Sequence, residues 1–268
     1  ERVFHAAAYK HVPLMENNRR SAVLTNVLGT YIVGSRAAQA GVGSFLLVST
    51  DKAVRPSNIM GATKQLAERV ILSLQQKFPN TEFGAVRFGN VLGSNGSVIP
   101  LFRKQIEASK PLTLTSAEVT RYFMTIPEAV QLILQTSLLK SFPGHVAMLD
   151  MGEPIKIIDL ARDLLRLSGQ PFRLGENVVI TGMRPGEKLH EELSDPEEKV
   201  HTTEAERVFL VETQAGFANL PLDLAAALEA EDGRRLLDFL IAAFPEVTGR
   251  RQGPREPGPR ARTAGTHP

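Results

Sequence analysis

Apolar runs alternate with helical periodicities from residue 2 to residue 182. "RVFHAAA" (2–8) reads as a short strand. "NRRSAVLTNVLGTYIVGSRAAQAG" (18–41) carries apolar residues at helical spacing and ends on Gly41. "SFLLVST" (44–50) is a continuous apolar run closed by polar residues, the pattern of a strand covered on both faces. "MGATKQLAERVILSLQQKF" (60–78) is a second helix, stopped by Pro79 and Asn80, and "TEFGAVRFGNV" (81–91) is another strand. "IPEAVQLILQTSLL" (126–139) is a helix with Pro127 in its first turn. "GHVAMLDMG" (144–152) is a strand, "IKIIDLARDLLRLSG" (155–169) a helix and "ENVVITG" (176–182) a last short strand.

This order predicts an α/β fold with a doubly wound parallel sheet. Such sheets bind ligands outside the carboxyl ends of their strands. "SFLLVST" ends at Thr50 and "AVRFGN" at Asn90, so both are placed where chemistry occurs. Residues 1–88 and 120–168 are assigned to the sheet domain. Segments 89–119 and 169–201 break the alternation and are expected to form a smaller lobe over the crevice. "LPLDLAAALEAEDGRRLLDFLIAAF" (220–244) reads as two amphipathic helices, so 202–247 is expected to be a helical appendage. Residues 248–268 are rich in Pro, Gly and Arg and are expected to be a disordered tail.

Composition narrows the function. The 268 residues suffice for one large domain or two small ones. No apolar run reaches the ~18 residues that cross a bilayer. Cysteine is absent, which removes disulfides and thiolate chemistry and allows a cytoplasmic setting. The net charge of +2 comes from the tail, where Arg250, Arg251, Arg255, Arg260 and Arg262 face only Glu256. No basic, aromatic-studded pattern marks a nucleic-acid surface. His5 and His11 have no third ligand nearby, so no metal site is expected.

The chemistry concentrates in "VSTDKAVRPSNIMGATKQLAE" (48–68). Ser49, Thr50, Asp51 and Lys52 close a strand. Met60 and Lys64 are spaced i and i+4, so they share a helix face. A lysine there can hold a ribose hydroxyl and lower the pKa of a neighbouring acid. A surface loop followed by a solvated helix lysine would leave the same letters. The stretch resembles a dehydrogenase active site in outline, where a tyrosine is expected four residues before the lysine; position 60 is Met, and a thioether cannot give or take a proton. Asn26 falls in a helix interior, which propensity disfavours for an amide, and is expected to hold backbone or water near Lys64.

"HAAAYKHVPLME", "TNVLGT", "STDKAVRPSNIMGATK", "RFGNVLGSNGSVIPLF", "TRYFMTIPEAVQL", "LDMGEP" and "RPGEK" occur in one order and spacing. In these motifs the chain resembles the nucleotide-sugar 4,6-dehydratases of the CapD-like polysaccharide-biosynthesis family, within the extended short-chain dehydrogenase/reductase superfamily. Roughly residues 1 to 200 are covered. Ser-Thr-Asp-Lys followed by Met-x-x-x-Lys is similar to the large, membrane-anchored branch acting on UDP-N-acetylglucosamine. The resemblance implies a Rossmann-like sheet domain, NAD as cofactor and a UDP-sugar as substrate. It also implies a homo-oligomer associating through 22–40 and 60–77. A membrane anchor upstream would leave this part on the cytoplasmic side.

The family's phosphate-binding glycine turn is expected upstream of residue 1. "GNVLGSNG" (89–96) imitates it, but follows the lysine helix and leads to Ser97-Val98-Ile99-Pro100. On this view the chain lacks the first strands of its sheet and should bind NAD weakly alone. The implied cofactor contacts are Ala6, Ala7, Ala8, Asn26, Ser49 and Lys64. The implied substrate contacts are Lys10, Asn90, Arg103, Arg121, Arg184 and Glu187. A guanidinium fork matches diphosphate oxygens, and Glu187 of "RPGEK" can meet ribose hydroxyls.

A 4,6-dehydratase moves a hydride from sugar C4 to NAD, eliminates water across C5 and C6, and returns the hydride to C6. The resemblance assigns Asp51 as acid and Lys52 as base. Lys52 must then be neutral, with burial and Lys64 expected to push its pKa down. Asp51, or a water it holds, is expected to take the C4 hydroxyl proton beside Thr50. An epimerase or a non-catalytic NAD- or nucleotide-sugar-binding protein would share the fold.

Overall fold

The computed structural model describes residues 1–94, 96–213 and 217–249. β1 (Arg2–His5) leads through a loop to α1 (Val12–Asn17). α2 (Arg19–Val23), a π-helical turn (Leu24–Leu28) and α3 (Gly29–Gln39) follow without a break, so the helix expected over 18–41 widens at Asn26. β2 (Ser44–Val48) runs into a 3-10 turn at Asp51–Ala53 and then α4 (Ile59–Lys77), before β3 (Glu82–Arg87). Asn58 caps α4 by accepting from the Gly61 N–H at 2.8 Å, the usual service of an N-cap amide.

The chain next leaves the sheet through β4 (Asn90–Val91), α5 (Val98–Glu107), β5 (Leu112–Leu114), β6 (Thr120–Arg121) and β7 (Phe123–Met124). It returns with α6 (Ile126–Thr136), opened by a Thr125/Glu128 capping box, and β8 (Val146–Leu149). It departs again through β9 (Ile155–Lys156), α7 (Ile157–Leu167) and β10 (Val178–Ile180). β11 (Lys199–Thr202), β12 (Val208–Glu212), α8 (Leu222–Glu229), α9 (Gly233–Ala243) and α10 (Pro245–Thr248) complete it.

The main sheet has the order β1-β2-β3-β8-β12-β11. β1, β2, β3 and β8 are parallel, in register Phe4↔Leu46 and Leu46↔Gly84, whereas β12 pairs antiparallel with β8 on one side and with β11 on the other. One face packs on α4 through Leu47, Ile71 and Ala85. The other packs on α6 through Leu46, Val86 and Leu132. This covering on both faces explains the unbroken apolar run in β2.

Two expectations need correction. The boundary at 168 moves, because α7 joins the smaller lobe. Its Ile157, Ala161 and Leu165 form one core with Phe102, Leu112 and Val178, and β10 pairs with β5 there. The appendage over 202–247 is not purely helical, because β12 hydrogen-bonds to β8 inside the main sheet.

Part of the face over 22–40 and 60–77, where association is expected, is covered from within the chain. Arg69 donates to the Phe217 and Asn219 carbonyls at 3.1 and 3.2 Å, and Lys77 pairs with Glu229 at 2.8 Å. Leu24 and Gly233 bring the π turn and α9 so close that a Cβ at 233 would meet Leu24 Cδ2 at 2.3 Å. Residues 250–268 of the expected tail lie outside the described residues; Thr248 is buried at the end of α10. Among the described residues no helix is long and apolar enough to cross a membrane.

Candidate active site

The loop after β1 and the carboxyl ends of β2 and β3 surround a cavity of about 400 Å³. Its wall includes Ala6, Ala8, Lys10, Ser49, Thr50, Lys52, Met60, Lys64 and Asn90. A second cavity of about 180 Å³ meets it at Asn90, Gly96 and Ser97, and extends into the smaller lobe past Arg121, Arg184 and Glu187. Strand ends, a helix face and the lobe therefore bring together most of the residues singled out in the sequence.

The 3-10 turn fixes Asp51 and Lys52. Asp51 donates its backbone N–H to the Phe88 carbonyl at 3.1 Å, and its side chain is fully buried. Asp51 Oδ1 accepts from Thr50 Oγ1 at 2.8 Å and from Lys52 Nζ at 2.9 Å. Asp51 Oδ2 is buried without a partner among the described residues. Asp51 does not reach the cavity surface; Thr50 and Lys52 stand between. α4 presses on this turn so closely that a Cβ at Gly61 would lie 2.2 Å from the Lys52 carbonyl oxygen. Glycine beside Met60 is thus a packing requirement.

Lys52 is held by oxygen on three sides. Nζ lies 2.9 Å from Asp51 Oδ1, 3.3 Å from Asn90 Oδ1 and 3.6 Å from Glu191 Oε1. Burial disfavours its charge, but Asp51 and Glu191 outweigh burial and hold its pKa above the ordinary lysine value. The expected lowering by burial and Lys64 is therefore reversed, because two carboxylates face the ammonium.

Lys64 is buried in the wall beside Met60, and its Nζ donates to the Val48 carbonyl at 2.7 Å. Burial pushes its pKa down to about 8, with Glu68 opposing. Glu68 is already engaged. It takes Arg87 at 2.8 to 3.2 Å and Ser49 Oγ at 2.5 Å. Arg87 also pairs with Glu198 at 2.8 and 3.0 Å, and these carboxylates raise its pKa against burial. His5 bonds Thr30 Oγ1 at 3.2 Å, and burial with Lys64 lowers its pKa.

Several expected contacts land elsewhere. Asn26 is fully buried behind the wall. It pairs with the Tyr9 backbone at 2.8 and 3.0 Å and with Thr63 Oγ1 at 3.0 Å, so it fixes the Ala6–Lys10 loop on α4. Ala7 is exposed and turns away, leaving Ala6 and Ala8 on the wall. Arg103 lines a separate cavity with Leu92, Gly93, Ile99 and Pro100, because α5 turns it off the crevice. The Arg121 guanidinium is committed to the Thr120 and Leu189 carbonyls and to Glu187. Glu187 also accepts from Thr115 Oγ1. Arg184 is exposed at the second cavity, on a turn whose Gly186 carbonyl accepts from Ser57 Oγ and Asn58 Nδ2 at 2.8 and 3.0 Å. Glu68, Arg87, Glu191 and Glu198 went unnoticed in the sequence. Only the repeated acidic letters after "RPGEK" hinted at Glu191.

Comparison with known proteins decides the family. Residues 1–213 match the family model described as "Polysaccharide biosynthesis protein". The chain belongs to that polysaccharide biosynthesis family. It is 56% identical over 196 residues to the capsular polysaccharide biosynthesis protein CapD of Staphylococcus aureus, covering 73% of this chain and 32% of that protein. It is 33% identical over 239 residues to the UDP-N-acetylglucosamine 4,6-dehydratase (inverting) of Campylobacter jejuni, covering 88% of this chain and 69% of that one. The solved structure of Pen from Bacillus thuringiensis superposes with a TM-score of 0.71 at 35% identity, over 80% of this chain and 66% of that chain. The chain thus spans about a third of the length of its CapD relative. The fold is that of the Rossmann-type extended dehydratases and epimerases of nucleotide sugars.

Proposed function

We propose that the protein carrying this chain is a NAD-dependent UDP-N-acetylglucosamine 4,6-dehydratase of polysaccharide precursor synthesis. The observation that carries this reading is that Thr50, Lys52, Met60 and Lys64 line one cavity, with Asp51 buried directly behind and bonded to both Thr50 and Lys52. An epimerase has no step that needs a coupled acid and base for elimination.

The wall fits the nicotinamide–ribose end of NAD. Ala6 and Ala8 carry nothing beyond Cβ, and Lys64 Nζ has N–H groups beyond the one given to Val48. Bound NAD would accept the C4 hydride and return it to C6. The sugar lies between Thr50, Lys52 and Asn90, and the nucleotide end extends toward Arg184, which is exposed at the second cavity.

Elimination follows from the pair. At rest Lys52 is an ammonium and Asp51 a carboxylate. A proton shift along their 2.9 Å bond gives a neutral amine and a carboxylic acid. A substrate that excludes water favours this neutral pair, since desolvation penalises both charges. Lys52 then removes the C5 proton, made acidic by the C4 ketone, and returns a proton to C5 when the hydride comes back to C6. Asp51 passes its proton through Thr50 Oγ1 to the departing C6 hydroxyl, which leaves as water. Asp51 acts through Thr50 because it does not itself reach the cavity. Mass spectrometry of UDP-N-acetylglucosamine incubated with the enzyme and NAD should show loss of one water. A product of unchanged mass with an inverted C4 would replace this reading with epimerisation.

A further inference from the structure

Oxidising a secondary alcohol by hydride removal requires a base for the hydroxyl proton. Position 60 is a thioether, and Asp51 is sealed behind Thr50 and Lys52. Lys52 gives hydrogen bonds to Asp51 and Asn90 and lies 3.6 Å from Glu191, so it is held as an ammonium with no lone pair to offer at rest. Lys64 differs on every count. It lines the cavity on the Met60 face of α4, it has one backbone acceptor, and no carboxylate pairs with it among the described residues.

We propose that Lys64, as a neutral amine, takes the C4 hydroxyl proton of the nucleotide sugar. This rests on the dehydratase reading above. The O–H bond breaks toward Nζ, the oxygen electron pair forms the C4 carbonyl, and the C4–H pair leaves as hydride to the nicotinamide of NAD. Lys64 becomes an ammonium, still anchored on Val48, and returns its proton to solvent before the next turnover. The proton lost with the C6 hydroxyl as water is replaced from solvent at the Asp51–Lys52 pair.

The surroundings maintain this state. Burial holds Lys64 near a pKa of about 8, so a substantial neutral fraction exists just above neutrality. Glu68, one turn along α4, opposes burial. Its oxygens are held by Arg87 from β3 and Ser49 from the end of β2, so it makes no ion pair with Lys64. From β1, burial, and Lys64 while it is charged, hold the His5 pKa below its ordinary value. On the turn after β2, Asp51 and Lys52 neutralise one another at 2.9 Å. Arg87 is thus a positioning residue, withdrawing the carboxylate that would lock Lys64 in its charged form.

The test begins without substrate. In lysine-labelled protein, the side-chain resonance lost in Lys64→Arg should titrate near pH 8, against the ordinary value of about 10.4. With UDP-N-acetylglucosamine and NAD, the rate of the oxidation step should rise through the same pH. Glu68→Gln removes the opposing charge, so the resonance midpoint and the rate limb should both move to lower pH. Lys64→Arg should lower the rate by about 100-fold or more with UDP-sugar binding retained. His11, a half-buried titratable group on the same wall, serves as control through His11→Gln, which should leave the limb in place. A Lys64 midpoint near 10 overturns the proposal, as does a limb that follows His11→Gln or ignores Glu68→Gln. If Glu68→Gln does not fold, the wild-type midpoint and limb decide alone. Water loss with a limb that does not track Lys64 removes only the base; no water loss from any UDP-sugar removes the dehydratase reading with it.

Discussion

Lys52 and Lys64 line the same cavity and are held in opposite ways. Lys52 sits on a 3-10 turn, facing Asp51, Asn90 and Glu191, and its charge is sustained against burial. Lys64 sits within α4 against a single carbonyl, and burial prevails. The deciding difference is where the nearest carboxylates point. Asp51 shares its Oδ1 with Lys52, whereas Glu68 is spent on Arg87 and Ser49. One lysine is therefore held charged beside a carboxylate, and on the proposed mechanism the other offers a lone pair. Protein interiors shift pKa values through such partners as much as through burial itself.

The largest effect should come from removing the charged lysine. Lys52→Met should reduce dehydration by between about 10²- and 10⁴-fold, the usual range for a lost acid–base group. Exchange of the C5 hydrogen with solvent deuterium should stop. Lys64 should still titrate near 8, because Lys52 contributes nothing resolved to its shift. Continued C5 exchange would move the base to another group.

Asp51→Asn should act next, at about 100-fold on turnover. Removing the first of the carboxylates that hold Lys52 up should lower the Lys52 pKa, with Glu191 retaining part of the effect. The titration of Lys64 should stay where it is. A shift of both lysines together would mean that they share one field and that the contrast between them is false.

This contrast was only partly legible in the sequence. Strand and helix patterns placed Thr50, Asp51 and Lys52 at a strand end and Met60 and Lys64 on one helix face, because those relations are local. The charge states depend on Glu191, Arg87 and Glu198, whose partners lie far away in sequence. No periodicity encodes such pairs, and so Lys52 was expected to be the lowered lysine. The same limit applies to the fold. β2 announced itself as an apolar run, but β12 pairs antiparallel after a long excursion through the lobe, and its short run was absorbed into the helical segment that follows it. α7 shows a clear helical period, yet periodicity does not tell which core it faces.

A smaller effect separates binding from chemistry. Arg184 lies at the second cavity, away from both lysines. Arg184→Ala should raise KM for the UDP-sugar about tenfold, the scale of one charge-assisted hydrogen bond to phosphate. kcat and both lysine titrations should hold. An unchanged KM would return Arg184 to a structural role in the turn that docks on Ser57 and Asn58.

The smallest effect belongs to the residue that first sets this site apart. Met60 is buried beside Lys64 and has no proton to contribute. If Lys64 is the base, the side chain at 60 need only be apolar and of suitable volume, keeping water from the amine. Met60→Leu should therefore cost less than about 1.5 kcal/mol of stability, as volume-conserving apolar swaps do, and retain most turnover. The Lys64 midpoint should remain near 8. Met60→Gln sharpens the point. It keeps similar length but brings a polar amide against the amine, which should stabilise the ammonium, raise the midpoint and slow oxidation at neutral pH. Loss of turnover in Met60→Leu with an unmoved Lys64 midpoint would show that the thioether contributes something other than a dry wall.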